Sequence, residues 1–249
     1  MHITFWLDSP AHKITLPSAN LHMLQAAIYS LLPSDKADFL HNEGYNVKGR
    51  TMKLFALGWP ASDTRPIFEH RRIIFTAPMR ITISTPFDDT ANDFVAGAMR
   101  AGHMRLGNEL CEVVKAELQR QIAQGNSLIV RTLSPVTCYS ASVMDSGKSF
   151  THYYAPNQPE FTEFIRKNAA RKFMALNPEH DIPPGNLDIT PLGTLKERIS
   201  LYDQRKLMPI KGWWGKFRLD GPEELLQTVL DCGLGAKNSG GWGCVTKVE

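Results

Sequence analysis

Residues 233–243 of this chain read Gly-Leu-Gly-Ala-Lys-Asn-Ser-Gly-Gly-Trp-Gly, and five of these eleven residues are glycine. Glycine adopts positive φ without strain and lets a ligand come close to bare backbone N–H groups. A glycine-rich loop that also contains a lysine, here Lys237, is therefore typical of a phosphate-binding site. The alternative is that Gly233 ends a helix and the residues after it form a simple turn.

The elements on either side of this glycine-rich loop decide between the known phosphate motifs. A helix is predicted to begin at Pro222, with Glu223 and Glu224 in its positively polarised first turn, and to end at Gly233. A strand is predicted over Trp242–Val248. Walker and dinucleotide loops lead into a helix, whereas this loop runs from a helix into a strand. The order of elements disfavours both of those nucleotide-binding motifs.

The rest of the second half supplies the remaining elements of one small module. Apolar spacing predicts a strand over Ser127–Tyr139 and a helix over Pro159–Phe173. A long hairpin over Ile199–Leu219 carries Trp213 and Trp214, which are expected to pack in the module more often than to stack on bases. Together with the helix and strand around the glycine-rich loop, the order is βαββαβ, the ferredoxin-like motif.

The first half repeats this order. The predicted elements are a strand over His2–Leu7, a helix carrying Leu21, Leu24, Ile28 and Leu31, strands over Met52–Leu57, Arg72–Phe75 and Ile81–Ser84, a helix over Asp89–Met99 and a strand over Leu110–Leu118. The sequence thus predicts an α+β fold of two tandem ferredoxin-like (RRM-like) βαββαβ domains, over residues 1–125 and 126–249.

The composition is that of a globular protein with a mild basic excess. Hydrophobic residues make up 43% of the chain and the formal net charge is +3, which permits an anionic partner without requiring one. The four cysteines are widely scattered and lack metal-ligand spacing, so we predict no metal site and no cofactor. Because the sequence shows neither a signal peptide nor a membrane-spanning apolar run, we expect a cytoplasmic protein.

The spacing within the glycine-rich loop supports a family resemblance. Two Gly-hydrophobic-Gly triplets separated by five residues resemble the signature loop of the repeat-associated mysterious protein superfamily. Within that superfamily the chain is most similar to the CRISPR repeat-processing endoribonucleases, the Cas-six family. Shorter segments extend the resemblance, in the family's order, over nearly the whole chain: Ala27–Leu32, Phe39–Gly44, Lys53–Leu57, Leu133–Val136, and Tyr154–Pro156 followed by Phe161, Ile165 and Asn168.

The resemblance implies a metal-independent endoribonuclease that cuts precursor RNA within each CRISPR repeat. In that reaction the ribose 2′-hydroxyl attacks the adjacent phosphate and leaves a 2′,3′-cyclic phosphate and a free 5′-hydroxyl. The protein has to transfer two protons and to stabilise negative charge on phosphorus. The Tyr, His and Lys that serve this purpose in the family correspond to Tyr29, His41 and Lys53.

The chemistry suggests how the three residues divide the work. His41 is the best general acid or base, because an imidazole with a pKa of about 6.5 exchanges protons at neutral pH. Tyr29 would assist His41 or orient the substrate, and Lys53 would stabilise charge, with Lys48 and Arg50 as alternatives to Lys53. Taken singly, each has a simpler explanation: a tyrosine at the edge of the core, a solvated histidine and a lysine on an outward strand face.

RNA binding is predicted for two parts of the chain, the glycine-rich loop and the segment before Lys53. The predicted contacts are Lys48, Arg50, Gly235, Lys237, Asn238, Ser239 and Gly241. Basic clusters such as Arg166, Lys167, Arg171 and Lys172 would add to this surface, unless they are ordinary solvated helix faces.

Repeat RNA is the predicted partner, with other CRISPR effector subunits as possible further partners and a monomer or homodimer as the expected state. Two other functions stay open on the sequence alone. A non-catalytic RNA-binding subunit of a CRISPR complex would shift repeat RNA in a gel without cutting it. A small-molecule enzyme that uses the loop as a phosphate cradle would bind nucleotides and not bind RNA tightly.

Overall fold

The computed structural model describes residues 1–143, 149–203 and 206–248. The elements of the first half are β1 (His2–Asp8), β2 (Lys13–Pro17), α1 (Leu21–Tyr29), α2 (Ser34–Asp38), a π-helical turn (Phe39–Glu43), β3 (Tyr45–Val47), β4 (Arg50–Met52), β5 (Ala56–Leu57), β6 (Ile67–Glu69), β7 (Arg72–Thr76), β8 (Met79–Ser84), α3 (Asp88–Ala101), β9 (His103–Leu106) and β10 (Glu109–Gln119). Those of the second half are β11 (Ser127–Thr132), β12 (Tyr139–Val143), β13 (Ser149–Tyr153), α4 (Pro159–Leu176), β14 (Asp188–Asp203), β15 (Lys206–Asp220), α5 (Glu223–Cys232), a 3₁₀ turn (Asn238–Gly240) and β16 (Val245–Lys247).

The main sheet of the first half is antiparallel, with the strand order β5-β8-β1-β10-β9. Without the edge strand β9, this is the pairing order of the four strands in a ferredoxin-like module. Ile3, Phe5 and Leu7 alternate along β1 and are fully buried on the side where α1 and α3 pack. The alternation follows from the two-residue period of a strand, which sends every second side chain to the same face.

The first half departs from the sequence prediction in two places. The strand predicted over Met52–Leu57 is wrong, because β4 ends at Met52 and β5 begins only at Ala56. Leu54 lies between them with a φ of 52°, a left-handed conformation that interrupts an extended strand. The strand predicted over Arg72–Phe75 is confirmed as β7, but it belongs to a separate three-stranded sheet, β2-β7-β6.

The main sheet of the second half has the order β14-β15-β11-β16, the same ferredoxin-like pairing. Phe161 and Ile165 on α4 and Leu226 on α5 are buried against it. The hairpin β14–β15 begins at Asp188, earlier than predicted, and residues 204–205 of the prediction lie outside the described residues.

The ends of three other elements in this half differ from the prediction. Pro222 precedes α5 and does not form its first residue. β11 ends at Thr132, short of the predicted Tyr139, because Pro135 follows and provides no backbone N–H for a ladder. The final strand begins at Val245, because the positive φ of Gly243 turns the chain just before it.

The predicted α+β fold of tandem ferredoxin-like modules is thus confirmed, with one hydrophobic core per module. The two cores interlock. Ile210 and Trp242 of the second half are buried in the first core, and Val47 of the first half packs against the second. We propose that the boundary lies at residues 125/126, in the connection between β10 and β11. Within the described part of the chain, no helix has the length and apolar character needed to cross a membrane.

Candidate cleavage site and nucleic-acid interface

The glycine-rich loop forms a compact turn between α5 and β16. Its two ends are joined by a hydrogen bond of 2.8 Å from the Leu234 N–H to the Gly243 carbonyl. The Ala236 N–H donates to the Thr137 carbonyl at 2.9 Å, and the Gly243 N–H to the Pro135 carbonyl at 2.8 Å. These three N–H groups bond to the protein itself, so they do not form the backbone phosphate nest that the sequence led us to expect.

Close packing explains the glycine at two positions of this loop. Gly235 has a φ of 68°, and a Cβ placed on it would lie 2.4 Å from the Thr137 carbonyl oxygen. Gly241 has a φ of 90°, and its Cβ would lie 2.9 Å from Cδ2 of Leu21. Both glycines are buried. Two of the predicted RNA contacts are therefore required by the fold itself.

A buried lysine on α4 forms hydrogen bonds to the buried side of the glycine-rich loop. The Nζ of Lys172 donates to the Gly233 carbonyl at 2.7 Å, to the Gly235 carbonyl at 3.2 Å and to Oδ1 of Asn238 at 2.7 Å. Only 3% of Lys172 is exposed, and this burial lowers its pKa to about 8. The sequence had grouped Lys172 with surface residues of the same helix, and that interpretation is wrong.

Asn238 completes the same network. Its Nδ2 donates to the Leu234 carbonyl at 3.0 Å and to the Trp242 carbonyl at 2.9 Å, while its Oδ1 accepts from Lys172. The side-chain amide that was predicted to bind RNA is thus bonded within the loop. The backbone of the neighbouring Ser239 connects the loop to α1, because its carbonyl accepts a hydrogen bond of 3.1 Å from Nε2 of Gln25.

Lys237 is the charged side chain that the loop presents to solvent. It is exposed and has a left-handed backbone with a φ of 58°. Its Nζ lies 5.1 Å from the centroid of the Tyr139 ring, within the range of a cation–π contact. The loop is therefore rigid at its buried glycines and presents one cation at its surface.

The structure brings the three predicted catalytic residues together in the first half. Tyr29 is the last residue of α1, and His41 lies on the π-helical turn that follows α2. The two rings meet edge to face with their centroids 5.6 Å apart. The Nζ of Lys53 donates to the backbone carbonyl of His41 at 2.8 Å. Neighbouring hydroxyl, imidazole and ammonium groups can exchange protons and stabilise an anion.

The surroundings of this cluster set its chemistry. His41 is exposed, and its Nδ1 lies 2.9 Å from Oδ1 of Asn42. Because an amide oxygen only accepts hydrogen bonds, Nδ1 is the donor in this contact, and Nε2 is the nitrogen left to face a substrate. Lys53 is partly buried, and this desolvation lowers the pKa of its ammonium group.

Lys53 also lines a cleft of about 760 Å³ that lies between the two modules. The other basic residues that line the cleft are Arg50, Lys167, Arg171, Lys172 and Lys237. The described residues that line it include no Asp or Glu. Burial lowers the pKa of Arg171, and the positive charge of Arg50 lowers it further. Lys167 is paired with Glu163 at 2.7 Å on the outer face of the helix, but the cleft lining remains basic. A basic lining of this kind is typical of a surface that binds phosphodiesters.

Two aromatic residues in this cleft were not predicted from the sequence. Tyr139 and Phe164 both line it, with their ring centroids 6.3 Å apart. Exposed aromatic faces beside cations are the usual stacking surface for unpaired bases. Phe164 was predicted to share one face of its helix with the buried Phe161 and Ile165, but it is only half-buried at the edge of the second core.

Three other residues considered from the sequence lie outside the cleft. Lys48 is exposed with a φ of 47°, and its Nζ donates to the Asp181 carbonyl at 3.4 Å. Trp213 is buried against Phe161, and Trp214 packs on Trp59 with centroids 5.8 Å apart. The two tryptophans are thus packing residues, as their place in a hairpin indicated.

Groups of potential metal ligands do not form in the described part of the chain. Over residues 1–143, 149–203 and 206–248, no three His, Cys, Asp or Glu side chains come together as a set that could hold a metal ion. The four cysteines are buried and form no disulfide.

The fold and site define the class of this protein: two ferredoxin-like modules with a cationic cleft between them, and a Tyr–His–Lys cluster whose Lys53 lines that cleft. Residues 117–247 match the family described as CRISPR associated protein Cas6, C-terminal. Because this match covers more than half of the chain, the chain belongs to the Cas6 family.

Individual relatives resemble the chain over most of its length. The CRISPR-associated endoribonuclease Cas6 1 of Methanocaldococcus jannaschii is 26% identical over 239 residues, which cover 94% of this chain and 88% of the relative. The CRISPR-associated endoribonuclease Cas6 of Pyrococcus furiosus is 26% identical over 243 residues, 94% and 84% of the two chains. A solved structure from a Cas6-related gene of Pyrococcus furiosus has a TM-score of 0.84 at 19% identity and covers 100% of this chain and 98% of that one. This structural likeness confirms the fold.

Proposed function

We propose that this chain is a metal-independent endoribonuclease that binds precursor CRISPR RNA and cleaves it within the repeats to produce guide RNAs. The observation that carries the proposal is the contact between Tyr29, His41 and Lys53 at the edge of the cationic cleft. Membership of the Cas6 family and the endoribonuclease names of the relatives support repeat RNA as the substrate. We place this activity in the cytoplasm, where the RNA is made.

The proposed reaction is a transesterification within the RNA. The ribose 2′-oxygen forms a bond to the adjacent phosphorus, while the bond from phosphorus to the 5′-oxygen breaks. The proton of the 2′-hydroxyl goes to a base, and an acid supplies a proton to the leaving 5′-oxygen. The products are a 2′,3′-cyclic phosphate and a 5′-hydroxyl.

His41 and Tyr29 are suited to the two proton transfers. With Nδ1 of His41 bonded to Asn42, Nε2 is the nitrogen available to exchange a proton with the RNA. The hydroxyl of Tyr29, which lies 3.4 Å from the Leu40 carbonyl, is held in the same region by α1 and orients the substrate or transfers the second proton.

Lys53 is the proposed charge stabiliser. One of its three N–H donors bonds to the His41 carbonyl, which holds the ammonium group at the backbone of His41 and leaves two donors for the phosphate oxygens. Arg50 lines the cleft and is assigned to RNA binding, whereas Lys48 lies outside the cleft. The geometry thus favours Lys53 over both alternatives for the stabilising role.

The cationic cleft is the proposed path of the RNA strand. Arg50, Lys167, Arg171 and Lys237 provide phosphate contacts from both modules, and Tyr139 offers a stacking face. A strand in this cleft passes from the glycine-rich loop to Lys53, so binding and cleavage use one continuous surface. The same proposal includes association with other CRISPR effector subunits. The chain itself is proposed to be a monomer or a homodimer.

The test is cleavage of a repeat RNA in the presence of EDTA. We expect EDTA to leave the rate unchanged, and the product to end in a 2′,3′-cyclic phosphate that mass spectrometry identifies. A matched RNA with a 2′-deoxy nucleotide before the cut should bind equally well and stay intact. Cleavage of the deoxy RNA would contradict the mechanism. Binding of the all-ribose RNA without cleavage would instead identify a non-catalytic RNA-binding subunit.

A further inference from the structure

The conformation of the glycine-rich loop depends on one ammonium group. The three N–H donors of Lys172 match three oxygens of the loop, the carbonyls of Gly233 and Gly235 and Oδ1 of Asn238. Two of these oxygens come from residues before Lys237 and the third from the residue after it. A single side chain from α4 therefore ties the loop to the helix that lines the cleft.

Among the described residues, no carboxylate lies close enough to Lys172 to act as its partner in place of the loop oxygens. The titratable groups that face it are the thiols of Cys138, after β11, and Cys232, on α5. Burial raises the pKa of Cys232 to about 12 and that of Cys138 well above its usual value, so both thiols are neutral at physiological pH. The buried charge is thus stabilised by the dipoles of the loop.

We propose that Lys172 is a positioning residue of the RNA-binding site, which holds the glycine-rich loop in the conformation that presents Lys237 to the cleft. The claim about RNA rests on the proposed function, whereas the claim about the loop does not. Lys172 itself does not contact RNA, because it is covered by the loop that it holds.

Loss of the ammonium group has a defined physical effect. Three buried oxygens lose a charged donor at once, and the loop relaxes to reach water or other donors. RNA binding must then order the loop again, which reduces affinity. The cleavage step should change little once RNA is bound, because Tyr29, His41 and Lys53 lie on the other module.

The experiment compares the wild-type full chain with Lys172→Met and with Lys36→Met. Lys36 is the control, since it also donates from a partly buried Nζ to two partners, Asp89 and Asp93, but does so away from the loop. Hydrogen exchange of residues 233–243, the Kd for repeat RNA and the single-turnover rate at saturating RNA are measured for each folded protein. We expect Lys172→Met to lose exchange protection in the loop and to raise Kd on the order of tenfold, with the saturated rate within about threefold of wild type. Lys36→Met should match the wild type in all three.

The outcomes separate the two claims. Unchanged loop protection in folded Lys172→Met would overturn the positioning role. Lost protection with unchanged Kd would overturn its link to RNA while leaving the proposed function standing. If the wild type neither binds nor cuts repeat RNA, the proposed function fails, and the exchange data still decide whether Lys172 holds the loop.

A second measurement needs no variant and covers the case in which Lys172→Met does not fold. Burial lowers the pKa of Lys172 to about 8, so we expect its ammonium group to lose a proton as the pH rises from 7 to 9, and the remaining amine then has two donors for three acceptors. Hydrogen exchange of the loop, corrected for the intrinsic pH dependence of amide exchange, should speed up relative to α3 over this range, and Kd should rise. Equal corrected protection at pH 7 and pH 9 would overturn the proposal.

Discussion

The glycine-rich loop and the Tyr29–His41–Lys53 cluster differ in burial and in how much of their hydrogen bonding is made within the protein. The loop is buried and bonded to itself, and several of its glycines are required by packing. The cluster lies on a helix end, a π-helical turn and an irregular segment, with His41 exposed. The strongest motif of the sequence is therefore mainly structural, whereas the proposed chemistry depends on residues whose individual signals are weak.

The largest expected effect tests the chemical side of this comparison. His41→Ala should lower the single-turnover cleavage rate by roughly 10²- to 10⁴-fold, the size of a general acid–base contribution, with nearly unchanged RNA affinity. The exposed His103 on β9 provides a matched control, His103→Ala, which should cut at the wild-type rate. A His41→Ala protein that cuts as fast as the wild type would show that the cluster is assigned wrongly.

The next effect tests the structural side. Gly235→Ala should destabilise the protein by roughly 3 kcal/mol, because backbone strain at positive φ adds to a clash with the Thr137 carbonyl. Gly193 has nearly the same φ, 70°, but a Cβ added there would meet no described atom within 4 Å, so that Gly193→Ala isolates the strain. Urea unfolding should show a loss of only about 1 kcal/mol for Gly193→Ala. Equal losses in the two variants would mean that packing does not explain the loop glycine.

A smaller effect separates loop charge from loop structure. Lys237→Ala should weaken repeat RNA binding about fivefold and reduce the slope of log Kd against log salt by about 1, with unchanged unfolding free energy. A salt titration measured by filter binding or anisotropy tests this. Gly241 is unsuitable for the same purpose, because its φ of 90° and its contact with Leu21 make any side chain there a folding defect.

The smallest expected effect is the difference in RNA binding between variants of Arg50 and Lys48, two basic residues that the sequence analysis predicted to have the same role. Arg50→Ala should weaken RNA binding about fivefold, because Arg50 lines the cleft beside Arg171, whereas Lys48→Ala should change it less than about twofold. The same binding assay measures both. A larger loss for Lys48→Ala would place the RNA path on the outer side of the β3–β4 hairpin.

The sequence predicted the fold wherever apolar spacing was regular. Leu21, Leu24 and Ile28 formed the buried stripe of α1 as expected, whereas Leu31, predicted for the same helix, is buried just beyond its end at Tyr29. The sequence prediction failed where the backbone leaves the regular helix and strand conformations. At Leu54, a positive φ separates β4 from β5 within a segment that was predicted as one strand. Trp242 was predicted to begin the final strand, but the glycines on both sides of it turn the chain before β16 begins.

The sequence predicted the candidate catalytic residues but did not predict the cleft beside them. Resemblance to family motifs identified Tyr29, His41 and Lys53, and the structure places these residues in contact. The cleft is formed by residues of both modules, and no local sequence pattern predicts such a cleft. Lys172 was missed even though a signal existed. It lies on the same helical stripe as Phe161 and Ile165, at i+11 and i+7, and a lysine at such a position is buried with a partner.

The interlocked cores have a consequence for how the protein is made on the ribosome. Domains of a growing chain usually fold as soon as their own residues emerge. Here the first module cannot complete its core in that way, because Trp242, which is synthesised after the whole first module, is one of its wholly buried side chains. The first core, against which Tyr29 packs, therefore closes only after the glycine-rich loop has emerged, and nascent chains that stop before the loop lack the complete packing around Tyr29.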